Sequence, residues 1–216
     1  MKKILSYIWP TTRRFSSKIN GTLEVTYSNG KKVLDTENAN YSYGSLQKIL
    51  EIGLARVTLK NTKNALVLGM GGGSIIKSLR ETFEYKKNIV AIEIDPEIIK
   101  LAMEEFEISP SENLQIIEGD AFQYVKTSTE KFQLIIIDLF IDIKVPPIFY
   151  EKEFCRNTSQ LLEKNGFIIF NVGVNLEKKS KNTEKILTNF GSNFKFHIEE
   201  KVNGTNTLII AQKLSA

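Results

Sequence analysis

At about 150 residues per domain, a chain of 216 residues holds one full domain and a small appendage, and burying roughly 70% of its surface gives it a core without disulfide or metal staples. Hydrophobic residues at 42% and charged residues at 25% exclude general disorder, and five prolines with thirteen glycines exclude a collagen-like or linker-like chain. A net charge of +4 is too weak to indicate a nucleic-acid or membrane partner by itself.

Met1–Lys18 carries Lys2, Lys3, Arg13, Arg14 and Lys18 and no acid. With no aromatic–basic repeat it reads as a solvated arm and not as a nucleic-acid contact. The start MKKILSYIWP imitates a signal peptide, but Ile4–Trp9 spans six residues including Ser6, against the roughly 7–15 apolar residues a secretory core needs. No stretch reaches the roughly 18 apolar residues of a membrane span. The expectation is a cytoplasmic protein.

In GTLEVTYSNGKKVLD (21–35), Leu23, Val25 and Tyr27 alternate, and Asn29-Gly30 supplies a type I′ turn, so a β-hairpin is expected. A helix follows near Tyr43–Leu54, with Leu46, Ile49, Leu50 and Leu54 on one stripe. From Asn64 onward short apolar runs alternate with helical stripes. The expected order is strand Ala65–Leu68, helix Ser74–Phe83, strand Ile89–Ile94, then a helix opened by Asp95-Pro96. Ile98, Ile99, Ala102, Met103 and Phe106 form the apolar face of that helix. Next come strand Leu114–Ile117, helix Ala121–Val125, strand Leu134–Ile137, helix Glu151–Leu162, strand Phe167–Phe170 and helix Thr183–Phe190. Leu134–Ile137 has the unbroken apolar character of a central parallel strand. The polar run Asn175–Lys185 reads as an exposed connection into the last helix. Phe194–Lys201 and Thr207–Ala211, joined through Asn203-Gly204, make a terminal hairpin.

Five β-α units closed by a hairpin give an α/β, Rossmann-like class I methyltransferase fold. Its sheet is mostly parallel and seven-stranded, with an antiparallel C-terminal hairpin and a small N-terminal β-hairpin region. A dinucleotide-binding Rossmann domain does not end this way. The division expected is 1–54 for the arm, hairpin and helix, and 55–216 for a nucleoside-binding domain. The single cysteine, Cys155, falls in a helical pattern and reads as a core residue. The single histidine, His197, reads as a structural strand residue. Zinc sites and histidine-based triads are excluded, and no metal is expected.

The chemistry sits at the carboxyl ends of successive strands, where open α/β sheets bind ligands. Gly69, Gly71 and Gly73 follow the first parallel strand with G-x-G-x-G spacing, and Ser74 replaces the last glycine of a dinucleotide fingerprint. Such a loop lets backbone approach a nucleoside. Glu93 ends the next strand, placed to accept both ribose hydroxyls, while Asp95 reads as a helix cap. Asp120, followed by Ala121, ends the third strand, where an acid accepts from an adenine amine. Asp138 ends the fourth, facing the place where a transferred group meets its acceptor, and can orient an amine or take its proton. Asp142 reads as a loop residue. Leu139-Phe140-Ile141 and Val145-Pro146-Pro147 can wall an apolar pocket.

The runs YSYGSLQ, LVLGMGGGS, VAIEIDPEII, IIEGDAFQYV, FQLIIIDLF and LLEKNGFIIFNVG, in this order over about Gly21–Gly173, resemble the spermidine synthase-like (polyamine aminopropyltransferase-like) branch of the class I S-adenosylmethionine-dependent methyltransferase superfamily. The resemblance implies that Gly69, Gly71 and Gly73 surround the amino-acid end of the nucleoside and that Glu93 holds the ribose. It implies that Asp120 and Ala121 hold the adenine and that Asp138 activates an amine. For the N-terminal hairpin it leaves two roles open, a homodimer contact as in relatives or a cap over the pocket. The family's acid within GGGDGG falls on Gly72, its Tyr-Gln-Glu run reads Tyr43-Gly44-Ser45, and its Asp-x-x-Asp-Pro loop reads Asp138-Leu139-Phe140-Ile141-Asp142. Gly72 in place of an acid removes a repulsion against a donor carboxylate. The expectation is therefore methyl transfer from S-adenosylmethionine to a small acceptor. The alternatives are aminopropyl transfer from decarboxylated S-adenosylmethionine and a non-catalytic nucleoside-binding relative.

Overall fold

The computed structural model describes residues 6–7, 9–38, 40–60, 62–142, 144–174 and 181–215. Two sheets organise them. The first is antiparallel, in the order β1 (Thr11–Ser17), β2 (Gly21–Ser28), β3 (Lys31–Thr36), β4 (Asn40–Ser42). Ser28 pairs with Lys31, and Asn29 and Gly30 between them have φ of 51° and 73°, which is the expected type I′ turn.

β1 was expected to be a solvated arm. It is instead an edge strand in full register with β2, from Thr11↔Tyr27 to Ser17↔Gly21. Its sequence hides this because Phe15 is its one apolar residue. The strand is held by backbone pairing and by polar contacts: Arg14 to Glu24 at 2.7 Å, and Arg13 to Glu105. Lys2 and Lys3, and most of the signal-like start, lie outside the described residues.

The second sheet comprises β5 (Asn64–Leu68), β6 (Asn88–Glu93), β7 (Leu114–Glu118), β8 (Phe132–Ile137), β9 (Leu162–Val174), β10 (Phe194–Val202) and β11 (Asn206–Lys213). Its order is β10-β11-β9-β8-β5-β6-β7. β5 through β9 run parallel, and β11 lies antiparallel between β9 and β10. This is the fold expected from the sequence. Chain order reverses between β5 and β8, so their carboxyl ends flank a switch point, the place where such sheets open a crevice.

Among the described residues, six α-helices cover the two faces: α1 (Gly44–Leu54), α2 (Ser74–Lys77), α3 (Pro96–Phe106), α4 (Ala121–Thr127), α5 (Lys152–Leu161) and α6 (Lys181–Phe190). One core joins Ala65, Val67, Ala91, Leu134 and Ile136 of the sheet to α1, α2 and α3. It also takes in Leu23, Val25 and Leu34, so the small sheet shares it. The opposite core joins Leu66, Leu68, Ile92, Ile135 and Ile137 to α4, α5 and α6. Strand residues alternate between these cores because both faces are covered.

Several elements differ from expectation. The helix after the glycine loop is α-helical only to Lys77 and continues as a wider π turn, Ser78–Thr82. The apolar face of α3 is Ile98, Leu101, Ala102 and Phe106, while Met103 is 43% exposed. β9 begins at Leu162 directly after α5, and Asn165 adopts a φ of 62° before the apolar run that was legible. Of the polar run Asn175–Lys185, residues 175–180 lie outside the described residues, and α6 begins at Lys181. Cys155 is buried. His197 sits exposed on β10 beside Glu199, at 2.8 Å.

Candidate functional site

The turns after β5, β6, β7 and β8 converge on two adjoining cavities. The larger, about 220 Å³, is bounded by the glycine loop, α1, Asn38, Asn40, Tyr41 and Ser42, the residues after β8, and the β10–β11 turn. The smaller, about 170 Å³, is bounded by Glu93, Ile94, Gly119, Asp120, Ala121 and the apolar side chains of Leu139, Phe140, Ile141, Pro146, Ile148 and Phe149. Tyr41, Gly69, Asp138 and Phe140 line both and so mark their junction.

Gly69 makes the junction possible. Its φ is +84°, and a Cβ there would lie 2.2 Å from the Asp138 carbonyl oxygen. Only glycine lets the β5 turn cross the end of β8 this closely. Its N–H and that of Met70 both donate to the Ile92 carbonyl, at 3.0 Å each, which ties the loop to β6.

Glu93 is buried at the end of β6. Its Oε2 accepts from the Gly71 N–H at 2.8 Å and its Oε1 from the Asp95 N–H at 3.1 Å. These bonds fix the carboxylate in place, and Glu93 lines the smaller cavity. Burial pushes its pKa up to about 7, against the opposing pull of the Gly71 and Asp95 N–H bonds. Asp95 is the expected helix cap, accepting from the Glu97 N–H at 3.0 Å. It does more than cap: Ser17 and Asn20 donate to its other oxygen, fastening the small sheet to the start of α3.

Asp120 caps α4, accepting from the Gln123 N–H at 2.9 Å, and with buried Ala121 it lines the smaller cavity. Capping uses one oxygen and leaves the other for a ligand. Asp138 ends β8 at the junction, where its Oδ1 accepts from Asn171 Nδ2 at 2.8 Å. Burial raises its pKa to about 7; the Asn171 bond opposes this and the charge of Glu93 adds to it.

Of the candidate residues, Gly69, Gly71, Glu93, Asp120, Ala121 and Asp138 share this crevice. Gly73 lines neither cavity. A Cβ on Gly73 would meet Ile108 at 2.7 Å, so its glycine serves close packing under the loop. Asp142 was read as a loop residue and is also part of the wall. Thr36 Oγ1 donates to its Oδ1 at 2.9 Å and Asn38 Nδ2 to its Oδ2 at 3.0 Å.

Two wall residues, Tyr41 and Asn206, and one residue behind the wall, Asn171, were missed in the sequence. Tyr41 separates the two cavities, and its hydroxyl is held well above its ordinary pKa by burial and by the charges of Glu93 and Asp138. Asn171 is fully buried at the end of β9, and Asn206 begins β11. Asn206 Nδ2 donates to Asn171 Oδ1 at 3.0 Å, so a polar chain runs from the C-terminal turn to Asp138. Asn171 was detectable by the rule that found the others, a polar residue closing an apolar strand. Tyr41 and Asn206 carry no such signal.

Every charged side chain lining the two cavities is an acid, among the described residues. A wall of this kind favours a cation. No cluster of metal-ligating side chains occurs among the described residues, and no described helix is long and apolar enough to cross a membrane.

A family model described as "Spermine/spermidine synthase domain" matches residues 47–210. The polyamine aminopropyltransferase of Vibrio vulnificus is 28% identical over 139 residues, 63% of this chain and 46% of that protein. Among solved structures, human methyltransferase-like protein 13 in complex with SAH superposes with a TM-score of 0.66 at 23% identity, covering 80% of this chain and 83% of that one. The spermidine synthase of Thermotoga maritima superposes with a TM-score of 0.58 at 16% identity, covering 95% of this chain and 72% of that one. At these identities the structural likenesses show the fold alone. The chain spans about half the length of the curated relatives it matches.

These matches overturn the expectation of methyl transfer, because the family model and the curated relatives are those of aminopropyltransferases. The structure shows why the sequence argument failed. It took Gly72 as a missing acid facing the donor. A Cβ on Gly72 would point at Ser42, 3.1 Å away, and at Leu34, and Gly72 lines neither cavity. Its identity therefore carries no information about a donor carboxylate.

Proposed function

The chain belongs to the spermine/spermidine synthase domain family, and from that premise we propose that it transfers an aminopropyl group from decarboxylated S-adenosylmethionine to a small amine. In this reading the smaller cavity takes the adenosine: Glu93 accepts the ribose hydroxyls, and Asp120 and Ala121 meet the adenine. Residues 55–216 form the donor-binding domain, and from the 1–54 region Asn38, Asn40, Tyr41 and the side chains of α1 wall the larger cavity, where the acceptor lies. The sulfonium sits at the junction, beside Gly69 and Asp138.

The reaction is an in-line displacement. The amine nitrogen forms a bond to the carbon attached to sulfur, the carbon–sulfur bond breaks, and its electron pair stays on sulfur as a neutral thioether nucleoside. The attacking nitrogen must shed a proton, and Asp138 takes it. A carboxylate with a pKa near 7 is a far better base than one at 3.8. Asn171 holds it in one orientation. Alignment of the two substrates across the junction supplies the rest of the acceleration.

The observation that carries this reading is Asp138 itself, a carboxyl raised to about 7 where two acid-lined cavities meet. The test is paired calorimetric titration with decarboxylated and intact S-adenosylmethionine, together with mass-spectrometric detection of aminopropylated amine. Binding of the decarboxylated donor, weakened at least tenfold by Glu93→Ala, is expected. Equal or tighter binding of the intact donor, or no aminopropylated product from any amine, refutes the proposal.

A further inference from the structure

The polar chain that ends at Asp138 begins in the wall of the larger cavity. Resting on the aminopropyl-transfer reading above, we propose that Asn206 is a positioning residue for that transfer. It acts through Asn171 to orient Asp138 and to strengthen the hydrogen bond that this carboxylate receives.

Asn206 lines the larger cavity at the start of β11, and only 7% of it is exposed. Thr205 Oγ1 donates to its Oδ1 at 2.8 Å, and its Nδ2 donates to Asn171 Oδ1 at 3.0 Å. The Gly173 N–H donates to the same Asn171 oxygen at 3.1 Å. A backbone N–H can only donate, which fixes the end of the Asn171 amide that is oxygen. The nitrogen end therefore faces Asp138 Oδ1, 2.8 Å away. A bulge brings these groups together. Thr207 lies opposite Gly173 and Leu208 opposite Asn171, so Val172 is an extra residue in β9, and Gly173 takes a φ of +89° there.

Two donors on Asn171 Oδ1 draw electron density toward that oxygen and make the Asn171 N–H a stronger donor to the carboxylate. The other groups around Asp138 do not help it to ionise. The charge of Glu93, at the end of β6, raises its pKa. Tyr41 of β4 has its own pKa held well above the ordinary value and stays neutral. Asp142 is a second acid in the same cavity. Asn171 is the neighbour that favours the charged form, and Asn206 governs how well it does so. Backbone pairing already joins β11 to β9 from Asn206↔Val174 to Gln212↔Phe167, so the strands do not need the amide chain to hold them together.

The experiment follows the Asp138 carboxyl carbon by NMR across pH in the free protein, alongside the rising limb of kcat/KM. Asn206→Leu, close to asparagine in shape but with no donor, should move both midpoints up by about 0.5 unit. That shift lowers kcat/KM at about pH 6 by about threefold and leaves the high-pH plateau within about twofold. Thr205→Val, at an exposed turn position, should move them in the same direction by less. In an Asn171→Ala background, Asn206→Leu should move nothing further, because its route to Asp138 is gone. An unmoved Asp138 midpoint in Asn206→Leu, or an undiminished shift in the Asn171→Ala background, overturns the inference and leaves aminopropyl transfer standing. If Asn206→Leu does not fold, Thr205→Val decides, and an unmoved midpoint there overturns the inference. If no amine is aminopropylated, the transfer reading fails, while the NMR titration still supports or refutes the coupling of Asn206 to Asp138.

Discussion

Replacing Asp138 with asparagine should stabilise the free protein while abolishing its chemistry. The substitution keeps the shape of the side chain and keeps Oδ1 as the acceptor for Asn171 Nδ2. What it removes is a charge that burial disfavours. Raising a carboxyl from 3.8 to about 7 costs the ionised folded state about 4 kcal/mol. The folded protein holds this proton more tightly than the unfolded chain, so wild-type stability is full at and below about pH 4 and falls as the pH rises toward about 7. Asp138→Asn has nothing to lose in that window. Its advantage over wild type should be near zero at about pH 4, grow through about pH 5 and 6, and level off above about pH 7. For a chain of this size the plateau corresponds to roughly 10 °C in melting temperature. Thermal unfolding followed by circular dichroism at several pH values, without ligand, reads this directly. Over the same range kcat should fall by about 10²–10⁴, the usual worth of a positioned base. A stability difference independent of pH would mean that Asp138 ionises at an ordinary pKa. The assignment of Asp138 as the base would then lose its support.

Gly69→Ala should cost about 3 kcal/mol or more, since the new methyl group meets the Asp138 carbonyl in addition to the left-handed strain. Gly191→Ala is the control: its φ is +82° with nothing within 4 Å of the added atom, so it should cost only about 1–2 kcal/mol of backbone strain. Chemical denaturation of the pair isolates the close approach of the loop, and equal losses would refute it. Asn171→Ala removes the hydrogen bond that lowers the Asp138 pKa. The rising limb of the kcat/KM pH profile should therefore move to higher pH, whereas a purely structural role would lower activity without moving the limb.

Most of the large sheet was legible because each parallel strand is an apolar run ended by glycine or an acid, and each helix carries a stripe. Leu66–Leu68 and Ile135–Ile137 face covered layers on both sides, so the sequence had no reason to interrupt them. The same rule, acids at strand ends, led to Glu93, Asp120 and Asp138, and applied to β9 it would have led to Asn171. Edge strands obey a different rule. β1 needs backbone pairing and Ser17, not alternation, so its letters read as an arm. The roof of the larger cavity was invisible for a related reason. Asn38, Asn40 and Tyr41 reach the crevice only because the small sheet folds back over α1, a relation that no local spacing encodes. Gly72 marks the limit in the other direction: spacing located the loop correctly but could not give the direction in which a side chain at that position would point.

The electrostatics of the crevice argue for its ligand independently of any relative. Glu93 and Asp138 both have pKa values near 7, and the charge of Glu93 is one reason that Asp138 is raised. Their chief perturbation is desolvation, so ionising either one weakens the free fold. A fold gains nothing structurally from two such carboxyls at one junction, because neutral isosteres would satisfy Gly71 or Asn171 nearly as well. The arrangement becomes favourable only when positive charge enters. A sulfonium between the cavities and an ammonium in the larger one would each return a carboxyl to its ionised form and draw the other toward it. Binding of either cation should then release fewer protons as the pH rises from about 6 to about 8, which calorimetry in buffers of different ionisation enthalpy resolves. A pH-independent proton count near zero would show that the carboxyls are already ionised in the free protein, and that the acidity of the wall is not a device for holding cations.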